Sequence, residues 1–245
     1  MAARNPSPPP ITDEERDVLY SDKIGDTVFS KRWVLQVLFN STQQLKLDGD
    51  GIMDKNLDSD LCNLWDMSMN KDVALFLQEV DGLNIFLNII LESNSPRLTE
   101  ISIGLMGNMA CVEDICKDIT NRQKIIDIML LLMDHRDASI LIEVTRLVHV
   151  AITNNETRTK WMEGIQHSNL LKNAMFIFEN SMNEELLLNT SLLLSSLLTY
   201  NRSLVESEDE HRFCKSIEEA MKQTKDDCEK TREYLSYLFE LLQKK

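Results

Sequence analysis

Four groups of residues in this chain carry side chains able to do chemistry. Asp48, Asp50, Gly51 and Asp54 imitate a calcium loop, in which carboxylates alternate around a glycine turn. With Gly51 at the sixth position, however, the first position falls on Lys46 and the twelfth on Leu57. Calcium needs a carboxylate at the first and a bidentate glutamate at the last. The segment therefore reads as an acidic loop spanning 46–60. His211, Cys214 and Cys228 offer three of the four ligands that a structural zinc takes, without its paired short spacings. His135, His149 and His167 fall on different predicted helices. Cys111 and Cys116 would act as nucleophiles only beside a base on a shaped turn, and no GxSxG exists. The stretch GLMGN, residues 104–108, lacks the lysine and the preceding strand of a phosphate loop. Its glycines suit two helices that approach closely. The expectation is a non-enzymatic chain with no metal and no cofactor.

Composition says which elements surround these residues. Among 245 residues there are 7 glycines and 5 prolines, and four of those prolines lie between Pro6 and Pro10. A body with one remaining proline, Pro96, argues for helices, because sheet folds place these residues in turns. Hydrophobic residues make up 43% of the chain, enough for one substantial core or a short solenoid. The formal charge is −14, with a pI near 4.7. Nucleic acid binding rests on phosphate neutralisation, so an acidic chain without a Lys/Arg cluster is a poor candidate. Five cysteines without a CxxC motif fit reduced thiols of an intracellular protein. Cys111 follows an inner apolar row and is expected to be buried. The first ten residues have no apolar signal segment, and the most apolar run, 186–200, is interrupted by five polar residues. The nucleus or cytoplasm is the expected location, with no membrane.

Residues 1–22 mix prolines with acidic residues and are expected to be a disordered tail, with Ser7-Pro8 as a candidate phosphorylation site. An amphipathic helix is predicted over 27–45, using Val28, Trp33, Val34, Val37, Leu38 and Leu45, and helical patterning resumes at Leu61. Three long helices are then predicted behind cap residues Ser95, Asp137 and Asn183. Leu98, Leu141 and Leu187 take equivalent places in them, at intervals of 43 and 46 residues. A fourth carries Tyr234, Leu235, Leu238 and Leu242. Shorter helices over 72–80, 83–92, 112–120, 121–135, 156–166 and 169–181 fill the intervals. Two short helices and a long one every 40–47 residues or so is the armadillo/HEAT period. The predicted architecture is an all-α solenoid over 23–245 in which stacked neighbours bury each unit's apolar surface.

WDMSMNKDVALFLQE (65–79) followed by PRLTEISIGLMGNMAC (96–111) resembles the serum amyloid A-like family, and RNPSPPP (4–10) resembles its amino terminus. The resemblance is dense over Asn63–Cys116 and weak after about Thr120. It implies an intracellular helical-repeat protein linked to control of cell proliferation, and nothing here looks like a secreted apolipoprotein.

In armadillo arrays the last helix of each unit lines the groove, and an Asn there can clamp an extended peptide. Asn108 falls at that place, although Gly104 replaces the usual aromatic residue and Ala151 and Leu197 replace the later amides. The candidate partner-binding residues are Arg97, Glu100, Asn108, Glu143, Arg146, His149, Asn189 and Ser196, the polar positions facing away from the inner rows. Asn108 is expected to be exposed and Gly104 to leave the face shallow. The expected function is a protein-interaction scaffold; the alternative is a transport or chaperone adaptor that captures basic segments. The oligomeric state stays open.

Overall fold

The structure is a computed structural model that describes residues 12, 21–47, 51–205, 209–225 and 228–243. The predicted tail, with Ser7, and the loop residues Asp48 and Asp50 lie outside the described residues, apart from 12, 21 and 22. After α1 (Lys31–Leu47) and α2 (Lys55–Met67), the chain forms three units of three helices. The first is α3 (Lys71–Glu79), α4 (Gly82–Glu92) and α5 (Pro96–Met109). The second is α6 (Glu113–Asn121), α7 (Gln123–Leu132) and α8 (Ala138–Thr153). The third is α9 (Arg158–Gln166), α10 (Leu170–Asn180) and α11 (Glu184–Tyr200). A short 3-10 turn, Arg202–Leu204, leads into α12 (Glu210–Gln223) and α13 (Glu229–Gln243). No single helix among the described residues is long and apolar enough to cross a membrane.

Side chains at the helix starts specify these boundaries. Asp54, Ser95, Asp137 and Asn183 each accept backbone N–H groups from the first turn of α2, α5, α8 and α11. Such a cap satisfies donors that the helix itself leaves free. Behind each cap runs an apolar row. Leu98, Ile101, Leu105 and Met109 are buried, as are Leu141, Val144, Val148 and Ile152, and Leu187, Leu194 and Leu198. The long helices therefore pack side by side, α2 on α5, α5 on α8, α8 on α11 and α11 on α13. α1 closes one end against α2 and α4, and α10 packs on α12.

Polar side chains repeat the same pattern of dependence. Trp161 Nε1 donates to Thr120 Oγ1 at 2.9 Å, and Gln78 Nε2 to Asp118 Oδ2 at 3.1 Å. Arg122 Nη1 donates to Asn84 Oδ1 at 2.8 Å, and Lys117 pairs with Glu156 at 2.8 Å. Each of these ties joins residues about one repeat apart.

Three expectations are corrected. α1 starts at Lys31 rather than 27, because Asp22 accepts both the Ser30 hydroxyl and the Arg32 N–H and sets the first turn there. Val28 is consequently 88% exposed. Helix α2 starts at Lys55, well before Leu61, since Leu57, Leu61 and Leu64 form a buried row that the acidic residues between them hide from a composition reading. α12 was not anticipated; Phe213, Ile217 and Ala220 anchor it.

The indole of Trp161 is fully buried with its single donor bound. Trp161→Phe should lower stability by about 1–3 kcal/mol through the lost bond and the smaller ring. Urea unfolding followed by circular dichroism reads this directly, and an unchanged midpoint would show that the tie carries no weight.

Candidate functional site

The exposed face of the long-helix layer collects the polar residues singled out above. It begins with a close approach. A Cβ at Gly104 would overlap the indole of Trp65, so α2 can lay that ring on α5 only because residue 104 is glycine. The expected shallow face is thereby corrected, for Trp65 fills it.

Asn108, one turn further along α5, is half-buried rather than exposed, because α2 covers it. Its Nδ2 donates to the backbone carbonyl of Trp65 and to Ser68 Oγ, both at 2.9 Å. Its Oδ1 accepts Arg146 Nη1 from α8 at 2.8 Å. Both amide protons and one acceptor site are thus engaged across three helices. Arg146 also donates Nη2 to the Gly104 carbonyl at 3.0 Å and Nε to Glu143 Oε2 at 2.8 Å. One repeat earlier, Arg97 donates to Asp58 Oδ1 at 3.0 Å, to Glu100 Oε2 at 2.9 Å and to Cys62 Sγ at 3.0 Å. One repeat later, His149 Nε2 and Ser196 Oγ are 3.0 Å apart. Asn189 Nδ2 bonds its own helix, at the Glu185 carbonyl 3.1 Å away.

The fold therefore joins Arg97 with Glu100, unites Asn108, Glu143 and Arg146, and pairs His149 with Ser196. Asn189 stands apart from these links. Residues not singled out in the sequence complete the face: Trp65 and Ser68, then Asp58, Cys62 and Glu185. A signal for two of them, Asp58 and Glu185, is present in the sequence. Asp58, Glu100, Glu143 and Glu185 recur at intervals of 42, 43 and 42 residues, one carboxylate on each of α2, α5, α8 and α11.

Electrostatics follow from that row. Burial pushes the Glu143 carboxyl above the ordinary range, Arg146 pulls it back, and the charges of Glu100 and Glu185 raise it again. Burial works against the charge of Arg97, but the bonds to Glu100 and Asp58 outweigh it and raise its pKa. Burial also lowers the pKa of His149 below its ordinary 6.5.

The remaining chemical candidates are dispersed. Asp54 spends Oδ1 on capping α2. His211 is exposed, and the Cys228 thiol donates to Glu184 Oε2 at 2.6 Å. Among the described residues, no group of three or more His, Cys, Asp or Glu is arranged to hold a metal. Cys111 is exposed just beyond the end of α5, contrary to the expected burial, because the helix stops at Met109. Cys116 is the buried thiol, and burial raises its pKa.

No family model matches the chain. Its sequence is 37% identical over 211 residues to Protein saal1 of Danio rerio, covering 83% of this chain and 45% of that relative. It is 34% identical to Protein SAAL1 of Mus musculus and 33% to that of Homo sapiens, each covering 82% of this chain and 46% of the relative. The chain thus spans less than half the length of these relatives. Among solved structures, a designed armadillo repeat protein in complex with the peptide (KR)4 matches with a TM-score of 0.57 at 11% identity, covering 93% of this chain and 86% of that one. Computationally designed armadillo repeat proteins for modular peptide recognition match at 0.55 and 13% identity, covering 84% of this chain and 97% of theirs. The fold is an armadillo-like helical solenoid.

His149 yields a pH test with a definite sign. Its lowered pKa means that the unfolded chain takes up the proton first, so stability falls as pH drops through 6.5 towards the folded value. Glu143, raised, has the opposite sign, so the comparison must be between variants. His149→Gln should lose less stability than the parent between about pH 7.5 and 5.5 in urea titrations. Equal losses would mean that His149 is solvated.

Proposed function

We propose that this chain belongs to the serum amyloid A-like family and serves as a non-enzymatic protein-interaction scaffold in the nucleus or cytoplasm. The family likeness links it to control of cell proliferation. Support comes from the density of the sequence likeness around α2–α6, from the 33–37% identity to the vertebrate relatives, and from the armadillo-like fold. A partner site on the long-helix face is supported by the way side chains from successive repeats reach it together. Asn189, Ser196 and Arg97 would contribute contacts, alongside Glu100, Glu143, His149, Arg146 and Asn108 where their internal bonds can be shared.

The second reading, an adaptor that captures basic extended segments, has one observation in its favour: the row of one carboxylate per repeat. Helices packed side by side are about 8–10 Å apart. An extended chain advances about 3.3 Å per residue. Two to three residues of a bound segment thus correspond to one repeat, so an extended basic chain keeps step with the row. A designed armadillo repeat protein of similar fold is in complex with the peptide (KR)4, which supports this reading.

Fluorescence anisotropy with labelled (KR)4, and with (DE)4 as its charge-reversed control, tests the second reading. Binding of (KR)4 alone is expected, weakening roughly tenfold or more between about 50 and 200 mM salt, as for other contacts between exposed charges. Absence of binding, or equal binding of both peptides, would remove the basic-segment reading and leave the general scaffold.

A further inference from the structure

The carboxylate row is already in contact with guanidinium groups, and they are the chain's own. Arg146 lies between three acceptors: the Glu143 carboxylate, the Asn108 side-chain oxygen and the Gly104 carbonyl. Glu143 is 7% exposed, so this is a built site rather than a surface pair. Gly107 keeps it open, since a Cβ there would stand 3.0 Å from Arg146 Nη2. A planar fork with five donors can reach separated acceptors in this way, whereas an ammonium is a single point. Arg97 repeats the arrangement between Asp58 and Glu100.

The third position differs. Glu185 extends the row onto α11 at the same interval, and its charge reaches Glu143. Arg146 stands three residues after Glu143 and Arg97 three residues before Glu100. The corresponding neighbours of Glu185 are Leu188 and Met182, neither of which carries charge. Glu185 is exposed, and its carboxylate has no hydrogen bond or ion pair among the described residues. Two arginines thus face four carboxylates, and the uncompensated charge sits at the α11 end beside Asn189.

We infer that the row is a series of guanidinium positions, the first two filled in cis by Arg97 and Arg146, and the third, at Glu185, left for an arginine of a bound extended segment. The inference rests on the basic-segment reading and narrows it in two ways. Arginine is required rather than lysine at the position that meets Glu185. The binding register is centred on α11, because Arg97 and Arg146 already occupy the carboxylates of α2, α5 and α8.

The test uses labelled (KR)4 and (KK)4 with the full chain and two variants. The parent should bind (KR)4 roughly fivefold or more tightly than (KK)4, a preference that a fork-shaped donor confers and net charge does not. Glu185→Gln, an exposed and isosteric change, should erase most of that preference. Leu188→Arg supplies the cis arginine that α11 lacks, at the spacing Arg146 has from Glu143. It should weaken (KR)4 about tenfold without lowering the melting temperature. Equal affinity for the two peptides, with Glu185→Gln changing neither, overturns the guanidinium inference while basic-segment binding stands. If neither peptide binds the parent, both fall. Should Leu188→Arg prove unstable, the Glu185→Gln comparison alone decides.

Discussion

The indole of Trp65 occupies the space that a side chain at residue 104 would need, and much of the long-helix face follows from that contact. With α2 drawn onto α5, the Trp65 carbonyl and Ser68 hydroxyl come within reach of the Asn108 amide. Asn108, oriented by those two bonds, presents its oxygen to Arg146 of the next unit. Arg146 then holds Glu143, which burial would otherwise leave as a costly charge. Polar groups of three helices are ordered in sequence, each by its neighbour. Among the described residues, the long-range side-chain hydrogen bonds span 35 to 47 residues, one repeat length, so neighbouring units satisfy one another's polar groups.

Much of the fold was legible in the sequence, since the cues were local. Ser95, Asp137 and Asn183 announced their helices by type and position, and the apolar rows behind them kept helical spacing. The start of α2 was not legible, because Asp58 and Asp60 continue the acidic run from Asp48 while Leu57 alone carries the period there. The candidate site was legible in part only. A polar residue that faces away from its own unit's core is covered or left bare according to the next unit, and helical spacing says nothing of that. Helical spacing alone leaves Asn108 exposed, and Trp65, which covers the adjoining Gly104, lies 39 residues before that glycine. The apolar row of α5 continues in sequence to Cys111, two residues beyond the end of the helix, so the spacing does not reveal that this thiol is exposed.

Under the proposed function, these internal bonds limit what the face offers to a partner. An armadillo groove whose asparagine is free can clamp a peptide backbone; here that amide serves the protein's own stacking, and the arginines beside it neutralise part of the carboxylate row. The portion nearer α11 keeps an exposed carboxylate, an amide bonded only within its helix and the His149–Ser196 pair.

The most direct measurement is a double-mutant cycle of Asn108→Ala and Arg146→Ala, with stability taken from urea unfolding. Residues that share one polar network should couple by about 1–3 kcal/mol, each single change costing nearly as much as the pair together. A coupling near zero, with the two losses simply adding, would mean that the side chains act independently and that the repeats are held by apolar packing alone.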